Sequence, residues 1–230
     1  MQRESRLLMK ARGFQIMQLG RDRSRDMTDF VYETYRARFQ NHDLLDYDDY
    51  VQMAIEDRFT LNSSAIFAAV ADGGRTLGCL RVIERRGPLP AEKEFGFDAL
   101  QEFRRHFPDR PAARRVYEIG RFATSLANLK ASKLPKSLSI HITDCLLRAM
   151  FGHVTRDPDS FGVASLDVTT LRILRMRGMQ VKVIGQARDY LGSPTVPVVL
   201  CADACLEDLR HQRPEQYAFM TGQDARRESA

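Results

Sequence analysis

Apolar and polar residues follow two different periods along this chain, and the change of period separates strands from helices. Apolar, β-branched runs at residues 64–71 and 76–83 are separated by Asp-Gly-Gly-Arg at residues 72–75. A Gly-Gly turn between two such runs predicts a β-hairpin. Residues 138–154 instead repeat apolar side chains at helical spacing, which predicts a long helix. The repeated positions are Ile142, Leu146, Met150 and Val154.

The remaining elements follow from the same two periods. Strands are predicted at residues 14–19, 115–124, 161–168, 181–184 and 196–201. Helices are predicted at residues 26–39, 97–107 and 169–177, the last ending at Gly178. A hairpin, a central strand, a crossover helix and closing β-α-β units together predict an α/β (α+β) fold. We expect a mixed central sheet with helices on both faces.

Length and composition favour one folding unit. The chain has 230 residues, 43% of them hydrophobic, which suits one α/β domain. It contains no internal repeat and no linker rich in Pro, Gly or Ser. We expect a single domain over residues 1–210. Residues 211–230 are polar without a clear period, so we expect a poorly ordered tail there.

The distribution of apolar residues also predicts where the protein resides. Charged residues make up 28% of the chain, and no run of about 18 apolar residues occurs, so we expect no transmembrane segment. The N-terminal sequence lacks the apolar stretch and cleavage site of a secretory signal. The four cysteines form no CxxC pair, which favours reduced thiols. We expect a soluble, cytoplasmic protein.

A net charge of +5 favours an acidic partner, and motifs narrow the choice. The N-terminal arginines alternate with carboxylates and lack an aromatic platform, so no nucleic-acid site is predicted. His141 and Cys145 have metal-ligand spacing but no second ligand pair, so no metal site is predicted either. The absence of GxSxG, GxxxxGK[ST] and GxGxxG leaves a serine-hydrolase elbow, a P-loop and a dinucleotide fingerprint unsupported.

Two charged residues lie in the predicted central strand, VYEIGRFAT. Strict alternation would put Glu118 and Arg121 on opposite faces. A bulge at Gly120 would shift the later residues by one position and bring both charges to one side. Such a pair is typical of a catalytic site, and a structural ion pair is the alternative.

A third charge, Arg81, lies in the apolar strand LGCLRVIER and must find a carboxylate if it faces the interior. The acidic segment DLLDYDDY could hold this arginine or a cationic substrate, and a solvated acidic loop is the alternative. The candidate partners are Asp46, Asp48, Asp49 and Glu118.

These strands resemble a known group of enzymes. The sequence LGCLRVIERRGPLP, followed about thirty residues later by YEIGRFAT, resembles the GNAT-like acyl-homoserine lactone (autoinducer) synthases and the related N-acyl amino acid synthases. The resemblance implies a GNAT-like fold and an acyltransferase site framed by Arg81, Glu118 and Arg121. It also matches the acidic Asp-x-x-Asp element of that group to Asp46 and Asp49 as substrate-binding residues. The absence of Trp favours the N-acyl amino acid synthase branch, and so do two extra segments, one between LDYDDY and the first hairpin strand and one at residues 90–110.

The implied mechanism assigns a role to each charge. Glu118 is expected to be the general base that deprotonates an acceptor amine. Arg121 and Arg81 are expected to orient Glu118 and to hold the acceptor carboxylate. The backbone N–H groups expected to stabilise the tetrahedral oxyanion are those of Phe122, Ala123 and Thr124.

The expected donor is a thioester on acyl carrier protein. The turn SLANLKASKLPKS has no Gly-rich loop for a pyrophosphate, which disfavours a free nucleotide donor. An acyl-phosphopantetheine thioester would then be a substrate, and no separate cofactor is expected. Basic side chains near this turn could steer the acidic carrier protein, or could only solubilise the loop. They are Lys130, Lys133, Lys136 and Arg148.

The sequence therefore predicts an N-acyltransferase that moves a fatty acyl group from acyl carrier protein to the α-amine of an amino acid. An acyl-homoserine lactone synthase that uses S-adenosylmethionine is the first alternative. A non-catalytic GNAT-like binding module is the second.

Overall fold

A computed structural model describes residues 4–38 and 45–223. The chain forms two compact units. The first comprises residues 1–83, 121–150 and 191–193, and the second comprises residues 84–120, 151–190 and 194–230. The strand Arg115–Thr124 and the helix Leu138–Val154 each contribute residues to both units. The expectation of a single domain stays a prediction.

The described residues contain nine strands and nine α-helices. The strands are β1 (Arg6–Ala11), β2 (Phe14–Gln18), β3 (Ser64–Ala71), β4 (Thr76–Glu84), β5 (Arg115–Thr124), β6 (Ser160–Asp167), β7 (Lys182–Val183), β8 (Arg188–Tyr190) and β9 (Ser193–Cys201). The helices are α1 (Ser24–Arg38), α2 (Tyr47–Thr60), α3 (Pro90–Phe95), α4 (Ala99–His106), α5 (Leu126–Ala131), α6 (Leu138–Val154), α7 (Val168–Met176), α8 (Ala202–Gln212) and α9 (Pro214–Thr221).

The first unit contains the predicted hairpin. Strand β1 pairs antiparallel with β2, β2 with β3, and β3 with β4. In the turn between β3 and β4, the Gly74 N–H donates to the Ala71 carbonyl at 2.8 Å. Gly74 has a φ of +81°, a conformation that glycine adopts without strain. The hairpin prediction is confirmed.

Helices cover both faces of β4 within the first unit. Met27 of α1 and Met53 of α2 belong to the same buried cluster as Cys79 of β4. Gly78 faces the other way: a Cβ built on it would lie 3.0 Å from Ile142 of α6. Successive residues of a strand point to opposite faces, so α1 and α2 lie on one side of β4 and α6 on the other.

The second unit contains both parallel and antiparallel strand pairs. Strand β5 pairs parallel with β6, from Arg115 opposite Ser160 to Ile119 opposite Ala164. Strand β6 pairs antiparallel with β9, which also pairs with β7 and β8. Parallel and antiparallel pairs therefore occur together, and the predicted mixed sheet is confirmed.

Helix α2 was not predicted, because its side chains reverse the usual pattern. A charged residue, Asp57, lies on its buried face beside Met53, whereas Ile55 and Phe59 are exposed. An apolar stripe normally marks the face that packs on the core. Here the stripe lies on the solvent side, so the segment did not resemble a core-facing helix.

The predicted polar tail is also corrected. Within residues 211–223, the end of α8 is followed by the short helix α9, which buries Met220. Two local signals mark α9: Pro214 in its first turn, and Gly222 just after its end with a φ of +74°. Pro at the start and Gly after the end are typical of a helix. The rest of the predicted tail, residues 224–230, lies outside the described residues.

Within the described ranges, none of the helices has both the length and the apolar character needed to cross a bilayer.

The close packing around Gly78 predicts that a side chain at this position destabilises the protein. A Cβ at this position would lie 3.0 Å from the Ala123 carbonyl oxygen, and a backbone atom yields little space. We expect Gly78→Ala to lower the free energy of unfolding by about 1–3 kcal/mol, the usual cost of overpacking. The measurement is the midpoint of urea unfolding. Gly73→Ala is the matched control, because a Cβ there has no neighbour within 4 Å; equal midpoints for the two variants would contradict the packing argument.

Candidate active site

Two arginines and two carboxylates form a buried ion-pair group in the first unit, which we call the paired-charge group. Arg81 of β4 is paired with Asp57, and its Nη2 lies 2.5 Å from Glu56 Oε1. Arg121 of β5 lies 3.2 Å from the same two carboxylates, through Nε to Asp57 Oδ1 and Nη2 to Glu56 Oε1. Two positive and two negative charges therefore neutralise one another inside the unit.

Burial makes each member of this group depend on the others. Arg81 is only 2% exposed, whereas the Glu56 side chain is 15% exposed. The Thr28 hydroxyl donates to the second oxygen of Asp57 at 2.6 Å. Ions removed from water are stable only when paired and hydrogen-bonded, so removal of one partner leaves an uncompensated charge. Glu56 is the member of the group that reaches toward solvent.

Two opposing effects set the ionisation of Asp57. Burial by itself would raise the pKa of Asp57, but the charges of Arg81 and Arg121 outweigh it, and the net pKa is lowered. The hydrogen bond from Thr28 acts in the same direction as the arginines. Asp57 is therefore a carboxylate at neutral pH, as its two ion pairs require.

Three of the four residues predicted as possible ion-pair partners of Arg81 do not pair with it. The structure pairs this arginine with Glu56 and Asp57. Asp46, Asp48 and Asp49 were the candidates, and they lie at the other end of α2. Sequence reasoning missed Glu56 and Asp57, although Asp57 follows Met53 by four residues and both are buried. A carboxylate at helical spacing from an apolar residue was the available signal.

Asp46 and Asp49 form a capping box at the start of α2. The Asp49 N–H donates to Asp46 Oδ1 at 3.0 Å, and the Asp46 N–H donates to Asp49 Oδ2 at 3.0 Å. This arrangement satisfies two backbone donors that a helix N-terminus otherwise leaves open. With a rise of about 1.5 Å per residue, Asp46 lies roughly 16 Å along the helix from Asp57. Their substrate-binding role stays a prediction.

Strand β5 is irregular at Arg121, which has a φ of +51°. The sequence predicted a bulge at Gly120, and the left-handed residue is its neighbour. This conformation is uncommon for a residue other than glycine and is strained. The side-chain ion pairs of Arg121 and a hydrogen bond from the Cys79 thiol to its carbonyl, 3.1 Å long, hold it in place.

The Cys79 thiol is suited to this donor role. Burial strongly raises the pKa of Cys79, and the nearby Asp57 carboxylate acts in the same direction. The side chain therefore keeps its proton and can donate to the Arg121 carbonyl. Cys79 supports the site as a thiol rather than as a nucleophile.

Glu118 lies in the second unit, three residues before Arg121 along β5. Its side chain is buried, and Oε2 accepts a hydrogen bond of 2.8 Å from the Ala91 N–H at the start of α3. Glu92 stabilises the segment around α3, because its two carboxylate oxygens accept hydrogen bonds from the Leu89 N–H at 2.8 Å and the Ala99 N–H at 2.9 Å. The extra segment noted in the sequence therefore orients the predicted general base, whose catalytic role stays a prediction.

The three residues after Arg121 occupy different surroundings. Ala123 is buried in the cluster beneath α1 and α2, whereas Phe122 and Thr124 are partly exposed. Beyond them, the Ser125 N–H donates to the Leu77 carbonyl at 2.9 Å, which ties the end of β5 to β4. The backbone role predicted for these three residues in oxyanion stabilisation stays a prediction.

The predicted carrier-protein contacts divide into two places within the first unit. Lys130, Lys133 and Lys136 are exposed on α5 and on the turn that precedes α6. Arg148 is partly buried on α6, about 15 Å along the helix from its first residue at 1.5 Å per residue. The three lysines lie within seven consecutive residues of the chain, and Arg148 lies farther along α6.

Three arginines that border a cleft in the second unit are each matched by a carboxylate. A cleft of about 590 Å³ in the second unit is bordered by Arg85, Arg114 and Arg115. Each of these arginines has a carboxylate within 3.6 Å, contributed by Glu92, Asp159, Glu84 or Asp157. In the first unit, His141 Nε2 lies 3.7 Å from Cys145 Sγ, and no third ligand among the described residues completes a metal-binding group with them.

The paired-charge group generates a prediction on stability and its pH dependence. Asp57→Asn removes one of the two negative charges that neutralise Arg81 and Arg121. We therefore expect the free energy of unfolding to fall by about 3–5 kcal/mol. Because folding lowers the pKa of Asp57, its contribution is complete above the unfolded pKa of about 3.9 and disappears as pH falls through the folded value. Urea unfolding between pH 2 and pH 7 measures both effects.

Asp48→Asn on the exposed start of α2 is the control for this variant. It should change the unfolding free energy by less than about 0.5 kcal/mol. The prediction would be contradicted if Asp57→Asn had the same unfolding free energy as this control and the same loss of stability in acid as the wild type. The buried ion pairs would then contribute nothing to stability.

Comparisons with known proteins address the fold. No family model matches the sequence, and no curated protein is significantly similar to it. Among solved structures, FeeM, an N-acyl amino acid synthase from uncultured soil microbes, is similar with a TM-score of 0.54 and 14% identity. That alignment covers 89% of this chain and 93% of FeeM. The acyl-homoserine lactone synthase LasI has a TM-score of 0.51 and 17% identity over 85% of this chain and 90% of LasI.

A third comparison extends to the wider fold. An acetyltransferase of the GNAT family from Staphylococcus aureus Mu50 has a TM-score of 0.51 and 10% identity over 81% of this chain and 98% of its own length. These three proteins differ in their named activities but share one architecture. The chain therefore has the GNAT-like α/β fold in which the autoinducer and N-acyl amino acid synthases are built, as the sequence resemblance predicted.

Proposed function

We propose that this protein is an N-acyltransferase that moves a fatty acyl group from acyl carrier protein to the α-amine of an amino acid. The observation that carries the proposal is the strained Arg121, which ion pairs fix in strand β5 three residues after the buried Glu118. Strain of this kind persists where the surrounding structure enforces it, and it is concentrated at functional sites. The similarity in fold to FeeM supports acyl transfer to an amine.

The proposed reaction replaces a carbon–sulfur bond by a carbon–nitrogen bond and moves protons from the amine to Glu118 and to the leaving thiol. An acceptor amine is protonated at neutral pH, so Glu118 first accepts one of its protons, directly or through a water molecule. The amine nitrogen then attacks the thioester carbonyl carbon, and the carbon–sulfur bond breaks. The products are an amide and the free phosphopantetheine thiol, which leaves with a proton. No redox step and no further reactant are required.

Arg81 and Arg121 act in this proposal mainly as positioning residues. Both guanidinium groups already bind Glu56 and Asp57, so a substrate carboxylate has to compete with these residues for them. Glu56 is the more exposed of the two carboxylates and is the one that a substrate could displace. The backbone at residues 122–124, which follows the fixed Arg121, is proposed to face the developing oxyanion.

The proposed donor site lies at the exposed lysines of α5 and the following turn. Lys130, Lys133 and Lys136 supply positive charge for an acidic carrier protein. Leu126 and Ile140, which lie on either side of this segment in the sequence, are large apolar residues that remain exposed. Apolar contacts surrounded by charge are typical of transient protein interfaces.

Lactone synthesis is the second candidate, since LasI and BjaI share the fold and are acyl-homoserine lactone synthases. The BjaI structure contains S-adenosylmethionine, and the enzyme is described as dependent on coenzyme A. Release of methylthioadenosine from S-adenosylmethionine identifies this reaction. Acyl-carrier-protein and acyl-CoA thioesters should therefore be compared as donors with amino acids and S-adenosylmethionine as acceptors. A folded protein that releases no thiol from any pair would be a non-catalytic binding module.

The role of Glu118 is tested by Glu118→Gln. Glutamine keeps the size of the side chain and one acceptor oxygen for the Ala91 N–H, so the fold should remain. It cannot take a proton, and we expect thiol release to fall by roughly 10²-fold or more. Activity should recover in part as pH rises, because more acceptor then arrives deprotonated.

Glu94→Gln, an exposed substitution on α3, is the control and should retain wild-type turnover. Wild-type turnover in Glu118→Gln, combined with a lower unfolding temperature, would assign Glu118 a structural role and remove it from the mechanism.

The donor site is tested by reversal of charge at the three lysines. Replacement of Lys130, Lys133 and Lys136 by Glu should lower the association rate for carrier protein and flatten its dependence on salt. Stopped-flow association at several ionic strengths measures both quantities. Replacement of Arg21, Arg25 and Arg36, exposed cations on α1 and just before it, by Glu is the matched control. Equal rates for the two triple variants would rule out this docking surface.

A further inference from the structure

Helix α2 exposes a continuous apolar stripe, which we call the outer face. Its residues recur every four positions, so they lie along one ridge of the helix. Tyr47 is 70% exposed, Val51 36%, Ile55 44% and Phe59 84%. Together they leave on the order of 500 Å² of mostly apolar side chain in contact with solvent, within the range of patches that bind a partner.

The outer face is not needed to attach the helix to its own unit. The opposite side of α2 buries Met53 and Asp57, and Asp57 joins the paired-charge group. Isolated apolar side chains at a surface are ordinary, but two aromatic and two β-branched residues on one ridge are costly to hydrate. The stripe therefore fits an intermolecular contact.

The charges of α2 help to identify the partner. Glu56 and Asp57 are neutralised within the paired-charge group, so the other charges of the helix are two carboxylates, Asp48 and Asp49, and one cation, Arg58. Helices that lie on anionic lipid carry Lys and Arg on their polar face, so this composition disfavours a membrane surface. A protein surface with its own apolar ridge fits better.

We propose that the outer face is a dimer interface and that its partner is a second copy of this chain. The ridge is symmetric about Met53: Tyr47 and Phe59 lie six residues to either side, and Val51 and Ile55 lie two residues to either side. A two-fold axis perpendicular to the ridge brings Tyr47 of one protomer against Phe59 of its partner, and Val51 against Ile55. Such a contact is isologous, as expected for a closed dimer.

The antiparallel arrangement is also favoured by charge. Exposed acidic residues at the start of α2, Asp46 and Asp48, approach the end of the partner helix, which carries Arg58. The dipoles of the two helices also oppose each other, which is the favourable orientation. Charge complementarity and apolar symmetry therefore select the same pairing.

The exposed area predicts a dimer of moderate affinity. A stable interface removes about 800 Å² from each partner, and the ridge provides somewhat more than half of that. Residues that surround the ridge have to supply the rest. In the dimer, α2 is held on its inner side by Arg81 and Arg121 and on its outer side by the partner helix, so association should stabilise the paired-charge group.

Sedimentation velocity of the full chain over a range of concentrations tests the proposal. We expect the average mass to rise from 26.3 kDa toward about twice that value with increasing concentration. Phe59→Asp should remain monomeric, because it places a carboxylate in the apolar contact where Phe59 meets Tyr47 of the partner. Ile140→Asp, at an exposed residue of α6, is the control and should dimerise as the wild type does. Circular dichroism, at a protein concentration low enough for the wild type to be monomeric, should show that both variants keep the wild-type fold.

Cysteine cross-linking tests the antiparallel register. Tyr47→Cys protein mixed with Phe59→Cys protein should form a disulfide-linked dimer under air oxidation with copper–phenanthroline, whereas neither variant should do so alone. In the proposed pairing, two copies of residue 47 lie roughly 18 Å apart at 1.5 Å per residue, too far for a disulfide. The four native cysteines are buried and free.

Three outcomes would overturn the proposal. The first is that the wild-type protein stays monomeric at all concentrations. Binding of this monomer to vesicles of anionic phospholipid would assign the outer face to a membrane instead. The second is a dimer that Phe59→Asp leaves intact. The third is cross-linking of Tyr47→Cys with itself, which would indicate a parallel contact. None of these readouts depends on acyl transfer, so they test the interface separately from the proposed activity.

Discussion

The ion pairs between Arg81 and Arg121 and the carboxylates of Glu56 and Asp57 are the interaction on which the first unit depends. Two buried guanidinium groups on neighbouring strands are stable only if another element supplies carboxylates to pair with them. Helix α2 brings both carboxylates on adjacent residues, and its attachment to the sheet is therefore electrostatic as well as apolar. The conformations of β4, β5 and α2 become coupled through four side chains.

This coupling accounts for the geometry of the candidate site. Arg121 occupies a left-handed conformation that would relax without its ion pairs, and the Cys79 thiol holds its carbonyl from the other side. A rigid, strained point in β5 fixes the backbone that follows it. A separate segment, built around Glu92, aims the Ala91 N–H at Glu118. Preorganisation of this kind is what the proposed acyl transfer would require.

The sequence predicted the elements whose burial produces a regular pattern. The hairpin around Gly74, strand β5 and helix α6 have clear periods, and β5 and α6 were placed with the observed bounds. It also indicated Arg81, Glu118 and Arg121, because charges inside apolar strands are conspicuous. It missed α2, whose apolar residues face solvent and whose buried face carries Asp57, and so it missed the partners of Arg81. Capping residues that could have identified α2, Asp46 and Asp49, were interpreted instead as ligands for a substrate.

The most direct test of this account is a double-mutant cycle on Asp57 and Arg81, with unfolding free energies from urea titration of Asp57→Asn, Arg81→Met and the double variant. We expect strong coupling, because each single variant leaves a buried charge without its partner whereas the double variant removes both. The double variant should therefore lose at least about 2 kcal/mol less unfolding free energy than the sum of the two single losses. Losses that simply add would show that the two residues stabilise the protein independently. In that case the paired-charge group could not be what fixes Arg121 and the candidate site.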